Sequence, residues 1–595
     1  MNTLPGYSLI DRVMCAKSLD RHTWCLVALC LFCLVILFSD LGAAALFEPD
    51  EGRNAEVARE VLLLRDWVTP HYDFIPRLDK PVFFFGLVAL SFKIFGLGEW
   101  AARLPSVLAA FGCLSLAYIV ARSIFRRWAA LWSVLILLTS IEFFALSRVV
   151  ILDMVQTFFI TLSLACFWFG HLTTGPRRKF LVLLMYAFLG AATLVKGPIG
   201  LVLPAAVIFS YLLLSGKWAL FGEMELSLGV PLFLIVAASW YVAVELRNPG
   251  YLHHFLYEEN FARFTSTKFN RSGPWYYFFM VLAAGFFPWT LLLPMTLADF
   301  RKRPPADGHL FLILWIALPF IVFSLSASKL PHYILPLYPP LAILVGATVA
   351  KAFTAAHSAK MSWVLSLPAV TFFLLALLPA LLYVPSHFLP KKIPPQIYAA
   401  LPRTSVLFTI GVAAALIVGF AAIKKRLWHR EFYIYGSTVL GFALFILVAE
   451  PIIATVSLTR SSKQLAKAAA SLIHEGDQLV LYEKYLSSLP FYLDIQEPIW
   501  VVWSGNKSQV LGSDYIARKR PEPAGGYGKV LYTHEEFATL SLASKNRLVV
   551  FVDHRAFDTL PSAGGAPIRL LDVGNTSIVT NHREAKLVSL NGWTR

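Results

Sequence analysis

Long apolar segments dominate this chain of 595 residues and decide which folds are open to it. Hydrophobic residues make up 57% of the sequence and charged residues only 15%, against about 25% charged in soluble domains. Such a chain must bury its apolar surface in lipid, so it is predicted to be a polytopic α-helical membrane protein. Thirteen segments approach the length of a membrane helix: 24–44, 103–121, 128–146, 151–172, 180–195, 198–215, 227–244, 275–298, 309–326, 333–350, 361–386, 404–423 and 433–456.

The distribution of basic residues indicates the topology. Thirteen spans with a cytoplasmic N-terminus place the four main basic clusters in the cytoplasm: 122–127, 177–179, 301–303 and 424–430. If a further apolar segment, 81–97, also crossed the membrane, all four clusters would lie outside. This segment is therefore predicted to lie at the outer membrane interface. The net charge of +16 is then explained by basic cytoplasmic loops that fix the orientation of the protein in the membrane, and no nucleic-acid partner is predicted. A cleaved secretion signal is the alternative for the first segment.

Two domains are predicted. Residues 1–456 are predicted to form the membrane domain, with sizeable loops outside the membrane at about 45–102 and 245–274. Residues 457–595 have a soluble composition and are predicted to form a small α/β domain on the outer side. Its stretch LAKAAASLIHEG is predicted as a helix ending at Gly476, and DQLVLY, PIWVVW and RLVVFVD as strands. The six cysteines lie in or beside apolar segments, so no disulfide framework is predicted.

Charged residues crowd the first outside loop. Residues 47–80 hold eight carboxylates and five cations, which is costly beside a membrane unless the groups are solvated or functional. Asp50 and Glu51 follow the first span directly and are candidate catalytic carboxylates, with a helix N-cap role as the alternative. Spacings of three and four residues predict structural ion pairing among Glu56, Arg59 and Glu60.

Further polar residues are predicted to converge on the same membrane face. Lys80 precedes the interfacial helix and is either an anchor for a lipid phosphate or a snorkelling lysine. A transporter would place buried charges near the bilayer midplane, whereas charges at one rim suit chemistry on a lipid-linked substrate. The other members of this rim are Arg148, Asp153, Lys196, Glu258, Glu259, Asn260, Arg263 and the segment 328–333.

Several stretches together resemble a known family: FEPDEGRNAEVARE, LDKPVFFFGLVALSFKIFG, AARLPS, LVKGP and SKLPHYILPLYP. They are similar to the bacterial aminoarabinose transferase branch of the lipid-dependent, multi-span glycosyltransferases with the GT-C fold, which are relatives of protein O-mannosyltransferases. The resemblance runs through the membrane domain. It implies a protein of the bacterial inner membrane with thirteen spans, interfacial helices and a periplasmic tail domain.

The resemblance also implies an activity and its partners. The enzyme would move a sugar from undecaprenyl phosphate with inversion at the anomeric carbon, in contact with membrane lipids. In the aminoarabinose branch the sugar is 4-amino-4-deoxy-L-arabinose and the acceptor is a phosphate of lipid A. Protein hydroxyls or another envelope glycan are the alternative acceptors, and a lipid-linked sugar transporter or a non-enzymatic assembly factor are the alternatives from other classes.

By motif position, the resemblance assigns roles to residues of the outer rim. Asp50 corresponds to the acidic residue near the reacting sugar, Glu51 lies beside it, and Asp153 matches a further acidic residue. The residues expected to hold the donor phosphate are Arg53, Lys80, Arg263, Lys329 and Tyr333.

A metal site is the least defined part of the resemblance. Where a Glu and a His can hold zinc in the family, this chain has Asp79 and Asn260. An amide is a poor zinc ligand compared with imidazole, so no tight zinc site is expected. No resident cofactor is therefore predicted beyond a hard divalent cation on carboxylates.

Overall fold

The computed structural model describes residues 21–266, 272–301, 307–355, 371, 430–504, 510–544, 546–561 and 567–581. Two of the predicted spans, 361–386 and 404–423, lie outside these residues.

Within the described ranges, seven helices are long and apolar enough to cross a membrane, and two bent helix pairs raise the number to nine. This confirms a polytopic helical membrane protein, while the count of thirteen spans stays a prediction. The seven are Glu99–Ile124, Leu152–His171, Gly175–Lys196, Leu226–Arg247, Asp307–Leu325, Pro331–Phe353 and Ile434–Thr459. The pairs are Arg127–Leu138 with Ile141–Ser147, bent by 67°, and Tyr277–Gly285 with Trp289–Asp299, bent by 105°. The shorter helices His22–Phe38 and Ile199–Ser215 coincide with two further predicted spans.

The remaining helical elements connect these segments or belong to the C-terminal region. Their bounds are Asp50–Leu63, Phe83–Phe95, Ala219–Gly222, Arg263–Thr265, Leu293–Arg301, Lys463–Ala469, Leu489–Leu493, Asp514–Lys519 and His534–Ala543, with a π-helix at His253–Ala262 and 3-10 turns at Trp289–Leu292, Pro331–Leu337, Ala524–Gly526 and Phe557–Thr559.

Hydroxyl side chains stabilise the bend that follows Leu138. Thr139 Oγ1 donates to the Leu135 carbonyl at 2.6 Å, and Ser140 Oγ donates to the Ile136 carbonyl at 2.6 Å. Lipid offers no hydrogen bonds to a broken helix, so the chain must supply them itself. Trp289 Nε1 donates to Thr139 Oγ1 at 2.9 Å and thereby joins the two bent pairs.

The segment predicted to lie at the interface forms the helix Phe83–Phe95. Its 13 residues rise by about 20 Å, which is short of the roughly 30 Å hydrocarbon core. One face is buried through Phe84, Phe85, Val88 and Phe92, while residues 93–95 are exposed. Length and one-sided burial both favour the interfacial placement.

The C-terminal region forms the predicted α/β structure around one six-stranded sheet in the order β5-β4-β3-β6-β8-β7. Strands β3 to β6 are parallel, and β8 pairs antiparallel with both β6 and β7. A separate two-stranded hairpin, β1-β2, belongs to the first loop. The strands are β1 His71–Tyr72, β2 Ile75–Pro76, β3 Gln478–Tyr482, β4 Trp500–Val502, β5 Leu531–Tyr532, β6 Leu548–Asp553, β7 Ile568–Val573 and β8 Thr576–Thr580.

The predicted end of the first helix in this region was wrong. The helix ends at Ala469 instead of Gly476. The chain turns earlier because the Asp477 carboxylate accepts from the His474 amide at 2.8 Å and pairs with Arg547 at 3.0 Å. These contacts stabilise the turn that leads into β3.

The first loop joins the membrane helices to the C-terminal sheet. The Glu48 carboxylate accepts hydrogen bonds from the backbone amides of Ser487 and Ser488, both at 2.7 Å, and from the Ser462 hydroxyl at 2.8 Å. On the hairpin, Asp73 accepts from the Ile499 amide at 2.8 Å. Charged acceptors on backbone amides make strong hydrogen bonds, so the two regions are firmly connected.

The predicted ion pairing in the helix Asp50–Leu63 is partly confirmed. Arg59 holds the Glu56 carboxylate through two hydrogen bonds of 2.8 and 2.9 Å, and its third contact is Asp494 of the C-terminal region at 3.0 Å. Glu60 has another task, because it accepts from the Asp73 and Phe74 amides at 2.7 and 3.0 Å. Glu60 therefore caps the β1-β2 hairpin.

Glu51 lies in a deeply buried ion pair with a residue of the span Glu99–Ile124. Its carboxylate meets Arg103 at 2.9 and 3.0 Å, with 1% of the Glu51 side chain and 4% of the Arg103 side chain exposed. The amides of Phe47 and Val150 also donate to Glu51, at 3.1 and 2.9 Å. These four contacts fix the start of the helix Asp50–Leu63 against the span Glu99–Ile124.

The substitution Glu51→Ala is expected to lower the free energy of unfolding by about 3–5 kcal/mol, because it leaves the Arg103 guanidinium buried without its carboxylate. Denaturant unfolding of the detergent-purified protein measures this cost. The matched control is Arg247→Ala, which removes the exposed ion pair with Asp66 and should cost at most about 1 kcal/mol. Equal costs for the two variants would contradict the structural role of the buried pair.

Candidate active site

A cavity of about 580 Å³ is lined by three neighbouring cations, a few other polar side chains and otherwise by apolar side chains. The polar part of the lining contains four of the residues predicted from the sequence, Lys80, Asn260, Arg263 and Tyr333, together with Lys196. The complete lining is Lys80, Lys196, Pro198, Ile199, Val202, Leu256, Glu259, Asn260, Phe261, Arg263, Phe264, Val322, Phe323, Ser326, Ser328 and Tyr333.

The apolar wall faces outward, toward the surface that lipid would cover. Val202, Leu256 and Phe261 line the cavity, yet they are 47%, 45% and 59% exposed. Large exposed apolar side chains around a cavity mark a site for an apolar ligand or a lipid chain. A ligand with a charged head group and a long hydrocarbon chain therefore fits this cavity, with the head group at the cations and the chain along the apolar wall.

Three different elements supply the cations. Lys80 lies in the loop that leads into the helix Phe83–Phe95, Lys196 is the last residue of Gly175–Lys196, and Arg263 directly follows the π-helix His253–Ala262. Gly197 ends its helix with a φ of +105°, and a Cβ there would lie 2.8 Å from the Phe255 ring. Only glycine fits this turn, and it allows the π-helix to pack beside Lys196.

Lys196 is held by an acidic residue and an aromatic ring. It forms a hydrogen-bonded ion pair with Asp153 at the start of the span Leu152–His171. Its Nζ lies 4.6 Å from the ring centroid of Tyr333, a distance typical of a cation–π contact. His332 Nε2 lies 3.7 Å from the other Asp153 oxygen. Asp153 is thus joined to the polar part of the lining through Lys196.

Lys80 carries the clearest electrostatic signal. Burial and the nearby Arg263 lower the pKa of Lys80 to about 7, and Glu259, at 4.0 Å, offsets only part of this effect. Glu259 is also paired with Arg263 at 2.7 Å, so the two cations share one carboxylate. Positive charge is therefore in excess here, and an anion would be stabilised beside these cations.

A possible cation site lies beside Lys80. Asp79, His254 and Glu259 are all buried, and one ligand atom from each lies within 4.8 Å of the others. His254 Nδ1 is hydrogen-bonded to Glu258 at 3.1 Å, while Nε2 lies 3.8 Å from Asp79 and makes no hydrogen bond in the described part of the chain. A carboxylate on the far nitrogen of a histidine is typical of metal-binding imidazoles, so this group fits a divalent cation.

This group differs from the predicted pair of Asp79 and Asn260. It contains Asp79 together with His254 and Glu259. The side-chain amide nitrogen of Asn260 donates to the Phe255 carbonyl at 2.7 Å. Asp79 is kept ionised: burial opposes its negative charge, but Arg77 at 3.1 Å and further hydrogen bonds lower its pKa.

The residues predicted in the first motif lie beside the cavity instead of in its lining. Asp50 is 61% exposed and paired with Arg53, and Glu51 has the structural contacts described above. Asn54 Nδ2 donates to the Val150 carbonyl at 2.8 Å, so the helix Asp50–Leu63 is anchored three residues before Asp153. Lys329 is also outside the lining, and its Nζ donates to the carbonyl of the cavity residue Ser326 at 2.9 Å.

Three of the contributing residues were not predicted as site residues. Lys196 and Glu259 were placed on the correct rim without a role, and His254 was missed entirely. Their sequence signal is weak because each lies in a short stretch with several polar neighbours. Only the loop geometry shows which of these neighbours point into the site.

The helices define a multi-span membrane protein, and the comparison with solved structures assigns it the GT-C fold. The chain is similar to the crystal structure of ArnT from Cupriavidus metallidurans bound to undecaprenyl phosphate, with a TM-score of 0.78, 25% identity, and coverage of 95% of this chain and 99% of that chain. The apo structure of the same protein gives a TM-score of 0.76, also at 25% identity, over 94% and 98% of the two chains.

Sequence comparisons agree with this fold. The undecaprenyl phosphate-alpha-4-amino-4-deoxy-L-arabinose arabinosyl transferase of Pseudomonas paraeruginosa is 35% identical over 335 residues, which are 55% of this chain and 59% of that protein. The match therefore spans less than two thirds of that relative's length. Residues 79–242 match the family model for dolichyl-phosphate-mannose-protein mannosyltransferase. The resemblance to the aminoarabinose transferase branch is thereby confirmed.

The cation site predicts a specific loss of metal binding. His254→Ala should weaken Zn²⁺ binding by about 100-fold or more, because loss of even an indirect partner of a metal site costs 10–100-fold. Equilibrium dialysis with metal analysis of the purified protein measures this. His253→Ala is the matched control, since this neighbouring imidazole is exposed. Equal Zn²⁺ affinity in both variants would show that the buried group is no metal site.

Proposed function

We propose that this protein is an inverting glycosyltransferase that moves 4-amino-4-deoxy-L-arabinose from undecaprenyl phosphate to a phosphate of lipid A. The reaction would occur at the periplasmic face of the bacterial inner membrane, with the N-terminus in the cytoplasm and residues 457–595 in the periplasm. The observation that carries the proposal is the cavity lined by three neighbouring cations and otherwise mainly by apolar side chains.

The donor fits this cavity in a single orientation. Its phosphate would lie against Lys80, Lys196 and Arg263, and its polyprenyl chain would lie along Ile199, Leu256 and Phe323. Arginine can bind a phosphate through two parallel hydrogen bonds, whereas lysine acts as a point charge. Tyr333 would complete the phosphate site next to Lys196. Arg53 and Lys329 would support this site from its edge.

The chemistry needs positive charge more than it needs an acid. When the sugar–phosphate bond breaks, negative charge develops on the leaving phosphate, which is already a weak base. Preorganised cations stabilise that charge in the transition state, and one such group is typically worth about 10²–10³ in rate. A divalent cation bound by Asp79, His254 and Glu259 would add positive charge beside Lys80.

The carboxylates would act on the sugar and the acceptor. A phosphate acceptor is already a good nucleophile near neutral pH, so it needs little help from a general base. Asp153, which is paired with Lys196, would orient the donor sugar or balance positive charge on its ring. Asp50 is exposed and one helical turn from Arg53, which suits contact with an incoming acceptor. If the acceptor were a hydroxyl, Asp50 would have to serve as its base.

The variants Lys80→Ala and Lys196→Ala should each reduce sugar transfer by about 10²–10³, because each removes a cation from the developing phosphate charge. Lys93→Ala is the matched control, since this lysine is exposed on the interfacial helix and should leave transfer unchanged. Mass spectrometry of lipid A from cells that lack other aminoarabinose transferases provides the measurement.

Two results would contradict the proposal in different ways. Wild-type transfer by both lysine variants would show that the phosphate is held elsewhere. An unmodified lipid A in cells that make the wild-type protein, together with sugar on protein hydroxyls, would show that the acceptor is a protein.

A further inference from the structure

We propose that the C-terminal domain completes the active site, and that Ser513 and Arg518 are positioning residues that act through Asp79 and His254. This inference rests on the proposed function. The region from Val510 to Lys519 lies directly on the group formed by Asp79, His254 and Glu258, and four independent contacts join the two.

The first contact fixes one oxygen of Asp79. The Ser513 hydroxyl donates to Asp79 Oδ1 at 2.8 Å, and only 1% of Ser513 is exposed. The same hydroxyl accepts from the Ile516 amide at 3.3 Å and caps the helix Asp514–Lys519. Asp79 is therefore tied to the start of a helix in the C-terminal domain.

The second contact fixes the other oxygen of Asp79 through Arg77. Arg77 pairs with Asp79 Oδ2 at 3.1 Å and also donates to the Leu511 carbonyl at 3.2 Å. The next residue, Gly512, has a φ of +70°, and a Cβ there would lie 2.4 Å from Arg53 Nη1. Glycine at this turn thus lets the C-terminal domain approach Arg53 as well as Asp79.

The third and fourth contacts fix His254. The Tyr515 ring lies 4.9 Å from the imidazole centroid, and Arg518 forms an ion pair with Glu258. Glu258 in turn holds His254 Nδ1 at 3.1 Å. Arg518 therefore fixes the position of the Glu258 carboxylate, which in turn orients the His254 imidazole. The Nε2 atom of His254 remains directed toward Asp79.

The contacts of Asp79 are linked to the proposed phosphate site through the peptide bond between Asp79 and Lys80. Lys80 follows Asp79 directly and is proposed to bind the donor phosphate. A carboxylate held by Ser513 and Arg77 limits how far the Lys80 backbone can move. Loss of the contacts is expected to make both Lys80 and the His254 imidazole more mobile. The rate of transfer would then fall, while the donor lipid would still bind along the apolar part of the cavity.

The test uses Arg518→Ala in the full-length protein. Arg518 is exposed, so its loss should leave folding intact. We expect kcat to fall about tenfold, the scale seen when a partner behind a site residue is lost, with little change in KM for the lipid-linked donor. Lys519→Ala is the matched control, because this exposed lysine is the next residue of the same helix.

A second readout is independent of activity. Diethyl pyrocarbonate labelling followed by peptide mass spectrometry should modify His254 several-fold faster in Arg518→Ala than in the wild type, while the exposed His253 is labelled at the same rate in both. A double-mutant cycle with Glu258→Gln should be non-additive, because both substitutions break the same chain of contacts.

The outcomes separate this inference from the proposed function. Unchanged labelling of His254 in Arg518→Ala would overturn the positioning role, and so would faster labelling with unchanged kcat. If the wild-type protein transfers no sugar, the proposed function fails, whereas faster labelling of His254 would still support the contact between the C-terminal domain and the imidazole.

Discussion

Cations at the edge of a membrane are stable only where carboxylates lie close enough to offset the cost of removing them from water. Lys196 has Asp153, and Arg263 has Glu259 at 2.7 Å, while Lys80 reaches the shared Glu259 only at 4.0 Å. These three cations thus have two ion-pair partners between them. The remaining positive charge suits an anionic ligand, and the apolar wall beside it suits the hydrocarbon chain of such a ligand.

Much of the surrounding structure holds these few charges in place. The turn at Gly197 brings the π-helix against Lys196, and the pair of Glu51 with Arg103 fixes the first loop against a span. The C-terminal region also holds the first loop in place, because Glu48 accepts hydrogen bonds from the Ser487 and Ser488 amides of that region. A C-terminal region joined this closely to the first loop contributes to the geometry of that loop.

Local sequence patterns predicted the architecture well. Apolar segments identified the membrane helices, and short runs rich in β-branched and aromatic residues identified β3, β4 and β6, because both signals depend on neighbours along the chain. The motif around Lys80 also located the cavity. The boundary of the helix ending at Ala469 was wrong because a tertiary contact, the pair of Arg547 with Asp477, decided it.

Local sequence patterns could not predict contacts between residues that are far apart in the chain. Ser513 and Asp79 are 434 positions apart, and no periodicity links them. The pairing of His254 with Glu259 was not predicted for a different reason: the π-helix His253–Ala262 brings residues five apart onto one face, so these two side chains align. A sequence of ordinary α-helical spacing gives no indication of this winding.

The position of the donor phosphate tests the central claim most directly. Electron cryo-microscopy of the protein in lipid nanodiscs with added undecaprenyl phosphate would locate it. Density for the phosphate within hydrogen-bonding distance of Lys80 and Lys196, with the prenyl chain along Ile199 and Phe323, is the predicted result. Phosphate density bound instead at the Asp50–Arg53 pair, with the cavity free of lipid, would contradict the account.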